Sequence, residues 1–176
     1  LILIPTTAGT GAEVTPFATV WDSLGGGKYS VESNLLFADK VILDHTLLPK
    51  EGESALLYPA LDALSHCFES LWNKNKSPVS ISLATAALPL VLNALPCLGR
   101  TFQDPVLRRD LQRGSLLAGL AISQTQTAVA HSISYPLTTR YGVPHGLACS
   151  FALPVILRIN PEINPFPNED ISKKIL

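Results

Sequence analysis

Leu56-Leu57-Tyr58-Pro59-Ala60-Leu61-Asp62-Ala63-Leu64-Ser65-His66-Cys67-Phe68-Glu69-Ser70-Leu71-Trp72 is the stretch on which the fold turns. Its apolar residues recur at three- and four-residue spacing, the period of a helix with one buried face. Asn73-Lys74-Asn75-Lys76 ends it. Upstream the pattern is that of strands. Leu1 to Ile4 is a short apolar run, Thr6-Thr7-Ala8-Gly9-Thr10-Gly11 is a small-residue loop, and Val14 to Trp21 is rich in β-branched and aromatic residues. Gly25-Gly26-Gly27 predicts a turn joining that segment to Lys28-Tyr29-Ser30-Val31 as a hairpin, and Val41-Ile42-Leu43 reads as a further strand ended by Asp44.

Downstream the helical period continues. Ser77-Pro78 pairs an N-cap with a first-turn proline and predicts a helix toward Leu95. Pro89 should kink it, since a helix-interior proline costs about 3 kcal/mol. Asp104-Pro105 repeats the start signal for a helix to roughly Ile122. Further helices are expected over Thr127–Thr139 and His145–Ile159, separated by Gly142-Val143-Pro144. Asn160-Pro161 should stop the last one, and the chain from Asn164 reads as a loop entering another helix. The architecture is therefore the end of an α/β domain followed by a mostly α domain, with the boundary near residues 45–52. A dinucleotide site is expected where strand ends meet such a helical domain.

The composition narrows the function classes. Across 176 residues, 47% are hydrophobic and 15% charged, enough apolar matter for a sizeable core and too much for wholesale disorder. A net charge of −1 leaves no electrostatic footprint for nucleic acid or an anionic membrane. The apolar segment Ile81–Leu98 is interrupted by Ser82, Thr85, Pro89, Asn93 and Pro96, so no membrane span is expected. Three widely spaced cysteines, Cys67, Cys97 and Cys149, read as reduced core thiols of a cytoplasmic protein. Methionine is absent and residue 1 already sits in a strand-like run, so the chain is expected to be a piece of a longer polypeptide.

The chemistry gathers on histidine. Asp62 and His66 stand four apart in the helical stretch, which puts a carboxylate and an imidazole one turn apart on one face. Such a pair suits a divalent ion and equally a local Asp–His hydrogen bond. His131 lies in the apolar context Ala128-Val129-Ala130-His131-Ser132-Ile133, where a ligand or a core histidine would serve. His145 follows Gly142-Val143-Pro144 at a helix start, as a ligand or a loop residue. His45, in Asp44-His45-Thr46, has no partner pattern. One carboxylate with three imidazoles is a donor set for Zn²⁺ or Fe²⁺ that leaves room for a substrate oxygen.

Pro5-Thr6-Thr7-Ala8-Gly9-Thr10-Gly11-Ala12-Glu13-Val14-Thr15, the Asp62-Ala63-Leu64-Ser65-His66 helix and Gly142-Val143-Pro144-His145-Gly146 together resemble the iron-containing (group III) alcohol dehydrogenases. The spacing of fourteen between His131 and His145 matches too, and the resemblance runs from the first strand to Asn160. It implies residues 1–48 as the C-terminal part of a Rossmann-like dinucleotide-binding domain, and 49–176 as a truncated helical metal-binding domain of dehydroquinate-synthase-like fold. It implies Asp62, His66, His131 and His145 as ligands of Fe²⁺ or Zn²⁺. Contacts to NAD(P)H are implied at Thr6, Thr7, Gly9, Thr10, Phe17 and Lys28. The activity implied is reduction of a small aldehyde to an alcohol, and a homo-oligomer is compatible with it.

A narrower resemblance rests on Ala18-Thr19-Val20-Trp21-Asp22, Lys28-Tyr29-Ser30, Glu69-Ser70-Leu71-Trp72-Asn73 and Ala130 to Thr138. These are similar to the branch that reduces phosphonoacetaldehyde to 2-hydroxyethylphosphonate, and a phosphonate would call for cations such as Lys28 or Arg140. Many family members carry a second histidine four residues after the third ligand. Here that position is Tyr135, which becomes the candidate proton relay. The family's N-terminal half, with its Gly-rich nucleotide loop, is not in these 176 residues. Alternative readings are a metal- and NAD-dependent lyase of dehydroquinate-synthase type, a His/Asp phosphohydrolase, for which no His-Asp dipeptide is present, or an inactive truncated product.

Overall fold

Strand pairing is sparse and confined to the first 41 residues, in a computed structural model that describes residues 1–22, 27–98 and 102–163. β1 (Ile2–Leu3) pairs in parallel with β4 (Lys40–Val41). β2 (Phe17–Trp21) and β3 (Lys28–Glu32) form an antiparallel pair with Phe17 opposite Glu32 and Trp21 opposite Lys28. The strands are shorter than the apolar runs suggest. Pro5 carries no N–H to continue the first ladder, and Ile42 adds one further bond, to the Leu3 carbonyl at 3.0 Å. The strand expected from Val14 starts at Phe17, because Ala12–Val14 forms a 3₁₀ turn and Pro16 cannot donate. The glycine turn expected at 25–27 lies largely outside the described residues, as does the chain from Asn164.

Six helices follow in the described residues. α1 (Glu53–Trp72) begins three residues before the periodic run and carries Pro59 within it. α2 (Pro78–Ala94) starts at the Ser77/Ser80 capping box and runs on through Pro89. α3 (Pro105–Thr125) is capped by Asp104, whose side chain accepts from the Val106 and Leu107 amides. α4 (Val129–Tyr141) ends on Gly142 at φ 66°, the left-handed closure that glycine makes at no steric cost. The single helix expected over 145–159 is two, α5 (His145–Phe151) and α6 (Leu153–Ile163). Pro154 in the first turn of α6 has no N–H for the Ser150 carbonyl, so the chain restarts there. Pro161 does not stop α6, which continues through it to Ile163 among the described residues.

α1 is the hub, packed on α2, α3, α4 and α5. Leu56, Ala60, Ala63, Cys67, Phe68 and Leu71 line its buried face, and Ala84, Leu88 and Val91 of α2 and Leu111, Ala118 and Ala121 of α3 complete the core. The segment Pro78–Cys97 is long and apolar enough to cross a bilayer by length and composition; in this fold α2 packs along α3. Gly114 permits that approach, since a Cβ there would meet Val91 Cγ2 at 2.8 Å.

Three contacts seat the strand-bearing part on the helices. A Cβ on Gly9 would lie 2.5 Å from Pro59 Cβ, and one on Gly119 of α3 would lie 2.7 Å from Gly11 Cα. Arg108 of α3 is 3% exposed and donates to the carbonyls of His45, Pro49, Phe102 and Leu48. A planar fork with five N–H groups suits such a set of backbone acceptors.

Candidate metal centre

The helical period of α1 places Asp62, His66 and Glu69 on one face, at i, i+4 and i+7. His131 comes from the first turn of α4 and His145 opens α5, two helices that pack on α1 and on each other. Asp62 Oδ1 is the point of convergence. It lies 3.4 Å from His66 Nε2, 3.3 Å from His131 Nε2 and 3.8 Å from His145 Nε2. The His66 and His131 rings stack at 4.9 Å, and His145 meets His131 edge-on at 5.4 Å. Asp62, His66 and His131 are buried, whereas the His145 side chain keeps 36% of its surface. Gly146 lets α5 come this close: a Cβ there would run into the Tyr58 carbonyl of α1.

Whether these residues suit an ion can be tested on their unmet valences. Asp62 Oδ1 and His131 Nε2 are buried and make no hydrogen bond among the described residues. Buried polar atoms are costly when left unpaired, and here they face one another around a common point. Nitrogen and oxygen donors about 2.0–2.1 Å from a tetrahedral ion stand about 3.3 Å apart, close to the separations seen. The donor set fits a divalent cation.

The cluster sets the charge of its own members. Burial raises the Asp62 carboxyl, but His66, His131 and His145 together outweigh it and hold it well below the usual carboxylate range. Burial, reinforced by the neighbouring His131, pushes His66 down to about 4, so it is neutral and free to ligate at pH 7. His131 moves the other way: burial lowers it, but Asp62, Cys149 and Glu69 beside it raise it well above the ordinary imidazole value.

The four donors line a cleft of about 540 Å³. Thr10, Phe17 and Ser30 line one wall, and Ile122, Gln126 and Tyr135 the other. A smaller hollow of about 330 Å³ shares Thr10, Asp62 and His145 with it and is bounded by Tyr58 and Pro144. Gln126 is held at φ 62°, uncommon for a residue other than glycine, by the turn between α3 and α4.

A family model described as the C-terminal part of the Fe-containing alcohol dehydrogenase family matches residues 57–175, and one for iron-containing alcohol dehydrogenase matches residues 1–45. The chain belongs to the iron-containing alcohol dehydrogenase family. It is 41% identical over 160 residues to the phosphonoacetaldehyde reductase of Streptomyces viridochromogenes, an alignment covering 91% of this chain and 40% of the relative. It is 34% identical to the sulfoacetaldehyde reductase of Bilophila wadsworthia, over 93% of this chain and 42% of that one. Among solved structures, the sulfoacetaldehyde reductase of Bifidobacterium kashiwanohense in complex with NAD⁺ superposes with a TM-score of 0.86. The identity is 34%, over 90% of this chain and 42% of that one. The iron-containing alcohol dehydrogenase of Thermotoga maritima superposes with a TM-score of 0.82 at 34% identity, over 92% of this chain and 44% of that one. The chain thus spans about 40% of the length of these two curated relatives.

Within this iron-containing alcohol dehydrogenase fold the residues singled out by sequence divide into groups. Asp62, His66, His131 and His145 come together, and Thr10, Phe17 and Tyr135 line the adjoining cleft. Gly9 packs against Pro59 instead of facing the cleft, and Thr6 and Thr7 are exposed outside its lining. Lys28 begins β3, and its side chain lies outside the described residues. Arg140 is exposed at the far end of α4, nine residues and roughly 13 Å along the helix from His131, and is not part of the cleft.

Two residues that the sequence reading passed over belong to the centre. Glu69 is fully buried with Oε2 2.6 Å from His131 Nδ1. Its signal was available, since it continues the Asp62/His66 face by one turn. Cys149, read as a core thiol, is indeed buried, but its sulfur lies 3.6 Å from His145 Nε2. It also falls within 4.8 Å of the donor atoms of Asp62 and His131.

Proposed function

We propose that the protein carrying this chain reduces a small aldehyde to the alcohol with a reduced nicotinamide cofactor and a divalent metal, Fe²⁺ in preference to Zn²⁺. The observation that carries the reading is the convergence of four donors on one cleft, with Asp62 Oδ1 and His131 Nε2 buried and without a hydrogen bond among the described residues. A divalent ion held by Asp62, His66, His131 and His145 would supply Lewis acidity toward the substrate oxygen.

The chain's own residues account for the rest. Phe17 and Ile122 give the cleft apolar walls that limit water near the reacting carbon. Thr10 reaches the cleft from the threonine/glycine loop and is placed to contact the cofactor. Tyr135, one turn beyond His131 and lining the same space, is placed to deliver a proton to the product oxygen.

For the substrate we favour a two-carbon aldehyde carrying an anionic head, of which phosphonoacetaldehyde is the first candidate. The identity of 41% to a phosphonoacetaldehyde reductase and 34% to a sulfoacetaldehyde reductase supports it. Among the described lining residues the head group would meet neutral donors, the hydroxyls of Thr19 and Ser30 and the amide of Gln126. The cysteines are free, in keeping with a cytoplasmic location.

The test is metal analysis of the complete protein together with NADH and NADPH oxidation on phosphonoacetaldehyde, sulfoacetaldehyde and propanal. The two-carbon anionic aldehydes should be turned over fastest, and His131→Ala should lose both the metal and the activity. Full activity in that variant with stoichiometric metal would overturn the assignment.

A further inference from the structure

Glu69 is a carboxylate with 0% exposure, set among backbone amides. Oε1 accepts from the Ala130 amide at 2.6 Å and lies 3.4 Å from that of His131. Oε2 accepts from the Ala128 amide at 2.9 Å and lies 2.6 Å from His131 Nδ1. α4 has no side-chain cap of its own, since Ala128 stands at its N-cap. Glu69 reaches across from α1 and satisfies that helix end instead.

A carboxylate can only accept from the ring nitrogen it faces, so its partner must be Nδ1–H. In the neutral ring that ligation requires, an Nδ1–H leaves the lone pair on Nε2, the nitrogen that faces the cluster 3.3 Å from Asp62 Oδ1. We propose that Glu69 is a positioning residue of the metal centre: it fixes the ring orientation and the tautomer of His131, so that Nε2 is the ligand and a stronger donor. This rests on the metal-binding reading given above.

The same helix face steadies the turn that delivers His131. Asn73 Nδ2 donates to the Gln126 carbonyl at 3.2 Å, and Ser70 Oγ meets Thr125 Oγ1 at 3.3 Å. Glu69 therefore shares α1 with Asp62 and His66, while the ring it holds comes from α4. Carboxylates that hold a ligating imidazole in this manner commonly change metal affinity by about 10- to 100-fold when removed.

The experiment compares Glu69→Gln and Glu69→Ala with the parent in the complete protein. Zn²⁺ affinity is read by chelator competition, and the histidine ring nitrogens by ¹⁵N NMR of the zinc-loaded form. Circular dichroism and urea unfolding report the fold. Gln keeps the size of Glu and retains an oxygen for the α4 amides, but cannot offer a carboxylate oxygen to both the amides and Nδ1–H. Its Zn²⁺ affinity should fall by about 10- to 100-fold in protein that is still folded. In the parent, His131 should show a hydrogen-bonded Nδ1–H, lost or shifted in Glu69→Gln.

Parent-like Zn²⁺ affinity in both variants would overturn the proposal, as would a loss that merely tracks the unfolded fraction. Asp62→Asn separates the two readings. If it loses zinc while Glu69→Gln does not, the metal centre stands and the positioning role falls. A parent protein that binds no divalent ion overturns both.

Discussion

The strand-bearing part and the helical part of this chain are built on opposite plans. In residues 1–48 the paired strands are two short ladders, and Ile2, Ile4, Val20, Val31 and Ile42 are exposed. In residues 53–163 the apolar side chains converge on α1, and the four candidate metal donors ride on α1 itself and on α4 and α5 packed against it. The difference shows where precision resides. The donors are spaced to within a few tenths of an ångström by a core that the helices make among themselves. The strand-side wall of the cleft, with Thr10 and Phe17, is located by a seam of two close glycine contacts and one buried arginine.

The contrast can be sharpened first by pH, in protein freed of metal. His66 belongs to the helical part, and its folded value of about 4 lies below the ordinary 6.5. Between those values the unfolded chain binds more protons, so stability should fall as pH drops from about 6.5 toward 4, by at most about 3 kcal/mol. His131 works in a separate window. Its raised folded value contributes stability that is complete below 6.5 and is lost as pH rises through that value. Urea unfolding across pH should show both limbs, and His66→Asn should flatten the acidic one alone. An unchanged acidic limb would mean that His66 is not buried neutral.

The second way is to break the seam. Gly119→Ala puts a Cβ 2.7 Å from the backbone Cα of Gly11 and 2.9 Å from Val14 Cγ2. Overpacking of this kind costs about 2 kcal/mol. The variant should lose cofactor affinity more than metal affinity, because the helices that hold the donors are not displaced. Equal losses of both would erase the distinction drawn between the two parts.

The smallest expected effect lies wholly within the helical part. Asp104→Ala removes the acceptor for the Val106 and Leu107 amides and should cost about 1 kcal/mol in thermal or urea unfolding. Metal content should be untouched, since α3 contributes no donor. A change in metal content would couple the far end of α3 to the centre, contrary to the picture above.

What could be read from sequence follows the same divide. Ser77-Pro78 and Asp104-Pro105 announce their helices because a cap is a local event, decided within four residues. The Asp62/His66 pair is legible for the same reason. Strand lengths are not, since a ladder is only as long as its partner allows, and the partner of Ile2 lies 38 residues away. The break at Ala152 had a local sign in Pro154 that the apolar run 145–159 concealed. Glu69 was missed because its meaning depends on His131, 62 residues further on and brought near only by the packing of α4 on α1. Thr6 and Thr7 came from resemblance alone, and no spacing in the loop could show that they lie outside the cleft.

Asp62, His66 and Glu69 owe their alignment to an uninterrupted run of eight residues in one helix. Inserting or deleting a single residue between them would swing Glu69 around the axis by about 100° relative to Asp62 and slide it by about 1.5 Å. Substitutions at the intervening positions can be absorbed by packing, whereas a change of length cannot. In inheritance that octet therefore behaves as one indivisible word: its letters can drift, but the count from Asp62 to Glu69 cannot.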